Sequence, residues 1–397
     1  MQLAQRLSSI SEPQTIKMAK LSRELKAKGV NIVDLSLGEP DFKTPEHICN
    51  AAVKAMNDGF TKYTPVAGFA DLLDAISTKL KRDNNLDYPA NQIIVSTGAK
   101  QSLLNAIMCL VDPGDEVLIP TPFWVTYAAQ VQLAHGIVKY IPCGIESDFK
   151  LTPEQLEASI TPKTKLFIYS SPCNPTGSVY SREELAGLVE VFKRHPQVCI
   201  ISDEIYEYIN YTGRHESIAQ FDEIKDRVVI VNGMSKGFAM TGWRLGYMAG
   251  PRELVQACDK LQGQVTSGTN SITQKASVAA LLSDLAPTYK MVEAFKQRKD
   301  YVIPALQKMP GIKCNNPEGA FYAFPDISSF FGMSYGGNKI NNDEDFSMFL
   351  LNEAHVATVC GSAFGAPNCI RLSFATSMTN LMEAMERIGT ALQKLSA

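Results

Sequence analysis

Apolar residues along this chain gather into short runs of strand length separated by helical or turn-rich stretches. Seven such runs fall at 92–96, 115–119, 137–141, 165–169, 198–202, 228–231 and 245–249. Runs this short and this continuously apolar, alternating with helical patterns, predict a mostly parallel β-sheet covered by helices. From about residue 284 the pattern changes: a long, charged, amphipathic helix is predicted to residue 308, punctuated by Pro287 and Pro310. Short strands follow around 320–324 and 370–374, then a final helix near 379–395. The fold class read from this order is α/β, a large sheet domain with a smaller α+β domain.

Three of the apolar runs end in residues that carry chemistry. In Val198-Cys-Ile-Ile-Ser-Asp-Glu-Ile-Tyr-Glu-Tyr208 the run stops at Asp203, at a strand's carboxyl end, where open α/β sheets bind ligands. A carboxylate there can keep a pyridine nitrogen protonated, with Tyr206 near enough to reach a ring substituent; it can equally cap the next helix. Leu166-Phe-Ile-Tyr-Ser-Ser-Pro-Cys-Asn-Pro-Thr-Gly177 displays Asn174 in a proline and glycine turn, either as an amide donor or as a turn former. In Asn232-Gly-Met-Ser-Lys-Gly-Phe-Ala-Met-Thr-Gly-Trp-Arg-Leu-Gly-Tyr247, Lys236 can form a Schiff base, and Ser235 and Arg244 can hold a phosphate where glycines admit close backbone approach. The alternative for that segment is a glycine-rich turn with incidental charges.

Taken together and in this order, Ser171-Pro-Cys-Asn-Pro-Thr-Gly, Ser202-Asp-Glu-Ile-Tyr, Ser235-Lys-Gly and Gly242-Trp-Arg-Leu-Gly resemble the class I and II aminotransferases. Gly38-Glu-Pro-Asp-Phe and the Gly98-Ala-Lys-Gln turn draw the resemblance toward the bacterial aspartate aminotransferases, over about residues 15–395. The resemblance implies the pyridoxal phosphate-dependent fold type I, a large domain at 46–285, and a small domain made from 1–45 and 286–397. Lys236 would form the Schiff base with pyridoxal 5′-phosphate and shuttle the proton at the substrate α-carbon. Asp203 would pair with the ring nitrogen, and Asn174 and Tyr206 with the ring hydroxyl.

The phosphate would sit between Ser235 and Arg244 on one side and Gly98, Ala99 and Lys100 on the other, at a helix start that suits an anion. Trp124, which read alone is more often core packing, would stack on the cofactor ring. Tyr63 would reach across a homodimer interface to the neighbouring phosphate, so that active sites are shared. Arg371, read alone as a solvated charge in an edge strand, would bind the substrate α-carboxylate bidentately, helped by Gly38 and Asn174. Lys100, with a hydroxyl near Thr15, would meet the distal carboxylate of aspartate or 2-oxoglutarate.

Aspartate:2-oxoglutarate aminotransferase is therefore the expected function, with a prephenate or aromatic amino acid aminotransferase as the alternative. A regulatory module that only senses the cofactor would need an added basic DNA-binding segment, which is not evident. The 38 basic and 41 acidic residues give a net charge of −3 without a long basic run, so neither nucleic acid nor an anionic membrane is an expected partner. No apolar stretch has spanning length and no leader pattern opens the chain, which points to the cytoplasm. The nine cysteines, without a Cys-x-x-Cys pair, are expected as free thiols, Cys173 included, and the five histidines show no ligand spacing for a metal.

Overall fold

A computed structural model describes residues 14–396 together with Ala4 and Leu7; the side chains of Thr15 and Ile16 lie outside the described residues. All seven predicted runs become strands of one sheet: β1 (Ile93–Ser96), β2 (Glu116–Thr121), β3 (Ile137–Pro142), β4 (Thr164–Ser170), β5 (Cys199–Asp203), β6 (Val228–Gly233) and β7 (Gly246–Ala249). Their order across the sheet is β1-β7-β6-β5-β4-β2-β3. Strand β7 runs antiparallel to both of its neighbours, and every other pairing is parallel.

Alternation along the strands explains why the runs are continuously apolar. Leu118, Phe167, Ile200 and Ile230 face one buried core, while Val117, Ile168, Ile201 and Val231 face the other. Helices α1 (Ala70–Asn84), α2 (Ala99–Leu110) and α3 (Arg252–Val265) are among those that cover the two faces. Helix α2 starts directly at the end of β1, with Gly98 at φ 86° as its N-cap residue.

A second core joins the N-terminal residues Val33 and Leu35 to Phe295, Phe321, Tyr322, Val356, Ile370, Leu372 and Leu381. It is built from α4 (Ala286–Gln307), α5 (Met378–Leu392) and a three-stranded antiparallel sheet of β8 (Tyr322–Ala323), β9 (Val359–Cys360) and β10 (Ile370–Ser373). The two-residue strand Val33–Asp34 pairs in parallel with Val356–Ala357, tying the start of the chain to this unit. Helix α4 continues through Pro304, a residue the sequence reading passed over; near the C-terminal end the proline costs a single intrahelical donor. One expectation is corrected here. The strand of Arg371 is not an edge strand: β10 lies between β9 and β8, paired on both sides, which is why Arg371 is 2% exposed rather than solvated. Among the described residues, no helix is long and apolar enough to cross a membrane.

Candidate functional site

The carboxyl ends of the parallel strands, the start of α2, the segment at Gly38 and strand β10 enclose a cavity of about 410 Å³. Gly38, Ala99, Lys100, Trp124, Asn174, Asp203, Tyr206, Ser235, Lys236, Arg244 and Arg371 all line it. These positions span more than 330 residues of chain, so their convergence is a property of the fold.

Lys236 follows β6, and its Nζ donates to Gly38 O at 2.5 Å. The residue keeps some exposure through the cavity, yet the ammonium is enclosed by protein. Burial first, then the Arg371 and Arg244 charges, lower its pKa to about 8, against the pull of Glu39 and Asp203. Asp203 closes β5 at 3% exposure. Its Oδ2 accepts from the Tyr127 hydroxyl at 2.7 Å and its Oδ1 from Ile205 N at 3.2 Å. Burial raises its pKa to about 6 in spite of those donors, so a cationic partner at this carboxylate would be stabilised by it and would stabilise it in return.

Arg371 donates through Nη1 to Asn174 Oδ1 at 3.0 Å and through Nη2 to Ser36 O at 2.7 Å. Its guanidinium lies 4.5 Å from the Tyr322 ring centroid and 5.0 Å from that of Phe364. Its Nε is buried and has no partner among the described residues. The Tyr206 and Tyr322 hydroxyls meet at 2.6 Å, and burial pushes the Tyr206 phenol well above its ordinary range.

An anion cradle forms where α2 begins. The N–H groups of Ala99 and Lys100 precede its first intrahelical bond, which runs from Gln101 N to Gly98 O at 2.9 Å. A Cβ on Gly98 would stand 2.3 Å from Arg244 Nη2, and one on Gly246 would stand 2.1 Å from Ala99 N, so both glycines are required for the guanidinium and the helix start to approach. Arg244 itself adopts a left-handed backbone, φ 56°, and donates to Thr241 O at 2.8 Å. Ser235 is buried in the same wall. Lys100 Nζ rests 5.0 Å over the Trp124 ring, and burial and then the Arg244 charge lower its pKa. Trp124 packs edge-on against Tyr127 at 5.6 Å, which fixes the plane of the indole in the cavity wall.

Of the other expected residues, Gly98 and Tyr63 are not in the cavity lining. Tyr63 is 98% exposed. Thr15 belongs to helix Gln14–Ala27, but its side chain lies outside the described residues. Conversely, the sequence reading passed over Tyr127, Tyr322 and Glu39, which line the cavity. The spacing of Tyr127 three residues beyond Trp124 was a usable signal once a helix started there. Cys173 is held back by burial, which raises the thiol pKa, and it has no role in the cavity wall.

The family model for aminotransferase class I and II matches residues 30–388. A Bacillus subtilis protein named aspartate aminotransferase is 45% identical over all of this chain and all of its own. A Nitrosomonas europaea protein named aspartate/prephenate aminotransferase is 45% identical over 99% of this chain and 100% of its own. Among solved structures, the aspartate aminotransferase of Rhizobium meliloti superposes with a TM-score of 0.97 at 45% identity, covering both chains completely. That of Thermus thermophilus with maleate superposes at 0.93 and 37% identity, over 98% of this chain and 100% of that one.

Proposed function

The chain belongs to the class I and II aminotransferase family, and from that premise we propose that it uses pyridoxal 5′-phosphate to move the amino group of L-aspartate to 2-oxoglutarate, giving oxaloacetate and L-glutamate. The observation that carries the reading is one cavity that combines a desolvated lysine, a buried carboxylate, a helix-start anion cradle and a buried arginine. Each matches one part of the cofactor or substrate. The cradle of Gly98, Ala99, Ser235 and Arg244 fits a phosphate, because the missing Cβ at Gly98 is what lets the guanidinium close on it. Asp203 fits a protonated ring nitrogen, Lys236 an aldehyde, and Asn174 and Tyr206 a ring hydroxyl. When bound, the cofactor supplies an electron sink for the pair left at the substrate α-carbon.

The remaining work falls to side chains. Arg371 grips the α-carboxylate, with Asn174 and the Gly38 segment fixing its plane. Lys236 Nζ, whose lowered pKa of about 8 leaves an appreciable neutral fraction at physiological pH, would take the proton from the α-carbon, carry it on the same face, and be ready to return it in the reverse direction. Trp124 limits motion of the flat ring, and Lys100 pairs with the distal carboxylate. Maleate, named with the Thermus thermophilus structure, is a dicarboxylate of similar length, which supports a second cationic anchor in this fold.

The division into 46–285 and 1–45 with 286–397 is supported by the separate core that joins Val33 and Leu35 to the C-terminal elements. A homodimer is supported by Tyr63, whose 98% exposure suits a residue that reaches a neighbour's cradle. Nine free thiols fit a reducing, cytoplasmic setting. The prephenate alternative is favoured by the Nitrosomonas europaea relative, whose name carries both substrates.

A half-reaction panel tests the reading: the purified protein with pyridoxal phosphate is mixed with aspartate, glutamate, phenylalanine, tyrosine or arogenate while its visible absorption is followed. Rapid change with aspartate and glutamate and slow change with the rings is the expected result. Equal rates with arogenate move the assignment to the prephenate class. A protein that binds the cofactor but turns over none of these would be a sensing module instead.

A further inference from the structure

Behind Asp203 lies a buried set of charges for which the proposed reaction has no use. Glu204, the next residue, turns to the opposite side of the chain, and its Oε1 accepts from Ser202 Oγ at 2.9 Å and Ser217 Oγ at 2.6 Å. Its Oε2 lies 3.0 Å from His215 Nε2. That contact is a charge approach and not an aligned hydrogen bond, since neither atom has a hydrogen-bond partner by geometry. Glu207 faces the ammonium of Lys79, from α1, and its Oε2 accepts from Asn84 Nδ2 at 2.9 Å; Lys79 also donates to Asn84 Oδ1 at 2.7 Å. All four charged groups are buried, Lys79 and Glu204 at 1%, Glu207 at 6% and His215 at 9% exposure.

Ligand atoms of Glu204, Glu207 and His215 fall within 4.8 Å of one another, a spacing that would suit a cation. The cation's place beside Glu207 is, however, filled by the Lys79 ammonium. Two carboxylates and one ammonium leave a net charge of −1, which is costly in a buried region; one proton on His215 brings it to zero. The charged groups facing the imidazole are Glu204, Glu207 and Lys79. Around the two carboxylates the phenols of Tyr88, Tyr169 and Tyr247 are held protonated by burial, and the chain neighbours Arg214 and Glu216 pair with each other at 3.1 Å. Burial opposes the imidazolium, but the carboxylates outweigh it and hold His215 above its ordinary value.

We propose that the Glu204–His215 pair is a positioning unit for Asp203: it keeps the charge behind the strand end at zero, so that the adjacent carboxylate stays ionised against the cofactor's ring nitrogen, and it fixes the turn that presents Tyr206. This rests on the reading that pyridoxal phosphate lies with its ring nitrogen at Asp203. An uncompensated Glu204 charge pushes Asp203 in the same direction as its own burial, toward the protonated form that cannot serve as the ring's counter-ion.

The test compares wild type, H215Q, E204Q and the double variant, each loaded with pyridoxal phosphate, by pH titration of the visible absorption band. H215Q leaves Glu204 charged and unpaired, so nearby protons are held more tightly and the midpoint rises by about half a pH unit or more. The double variant removes both charges, keeps polar side chains in place, and returns the midpoint to the wild-type value. A purely structural role would displace the double variant at least as far as H215Q; that result, or an H215Q midpoint equal to wild type, overturns the proposal. E204Q keeps the comparison available if H215Q cannot be purified: its midpoint is expected at or below that of wild type, and a raised one overturns the proposal. A wild-type protein that shows no visible band would sink the cofactor reading itself, an outcome separate from any difference among the variants.

Discussion

Asp203 and Glu204 are neighbours in sequence but belong to two kinds of polar interior. On Glu204's side, each buried charge meets its opposite: Glu204 with His215, Glu207 with Lys79. On Asp203's side, Lys236 has a carbonyl for a partner, Arg371 keeps an idle Nε, and Lys100 and Arg244 face the same cavity. That imbalance of positive charge stays uncompensated until an anion enters, whereas the other set is complete as folded. The contrast separates residues retained for binding from residues retained for the frame, and it does so by charge bookkeeping alone.

Removing Lys236 breaks the open side most severely. Lys236→Ala is expected to lower the half-reaction rate by about 10⁴-fold, since the proposed proton carrier at the α-carbon is lost; single-turnover absorption with aspartate reads this directly, and a rate near wild type would end the assignment. Arg371→Ala should cut kcat/KM by the equivalent of about 2–5 kcal/mol, mostly through KM and for every amino acid, because the α-carboxylate is common to all. An effect confined to aspartate would argue that Arg371 reads the side chain instead.

On the closed side, H215Q should destabilise the cofactor-free protein by about 3 kcal/mol in denaturant titrations near pH 6, the cost of leaving a buried carboxylate alone. His215 has its folded pKa raised, so its stabilisation is complete below the unfolded value and fades as pH rises through the folded one. The gap between H215Q and wild type should therefore narrow on going from pH 6 to alkaline solution. A gap independent of pH would mean that the imidazole acts by shape and not by charge.

The smallest effect concerns substrate choice. Lys100→Ala should weaken dicarboxylic substrates relative to phenylalanine by about 1.5–3 kcal/mol, the range for a hydrogen bond to a charged group. Equal losses for both kinds would leave Lys100 only its place beside the phosphate cradle.

Much of the frame could be read from the amino acids. All seven strands of the large sheet were predicted to within two residues at each end, because burial on both faces makes their apolar runs continuous. Their order across the sheet could not be read, since it depends on pairings between distant segments. The strand Val33–Asp34 was too short to leave a pattern. Of the cavity, the residues in glycine- and proline-rich turns at strand ends were legible, as those turns mark where a parallel sheet presents side chains. Tyr127 and Tyr322 were not, because a tyrosine amid apolar residues reads as core until its hydroxyl is seen to meet Asp203 or Tyr206. His215 escaped for a related reason: its partner Glu204 follows a strand end that sequence ties only to Asp203. The role proposed for Tyr63 lies between two chains.

Strand β5 closes on Asp203, the carboxylate proposed for the cofactor, and Glu204, the one paired with His215, follows directly outside the strand. Side chains alternate from one side of a strand to the other, so deleting or inserting a single residue anywhere in β5 would exchange their destinations. A deletion would bring the glutamate into the cavity, one methylene longer than the residue it displaces, and an insertion would turn the aspartate toward the histidine, where it would fall short. For laboratory evolution this stretch should accept point substitutions far more readily than changes of length, and libraries meant to retune the catalyst are best kept in register here.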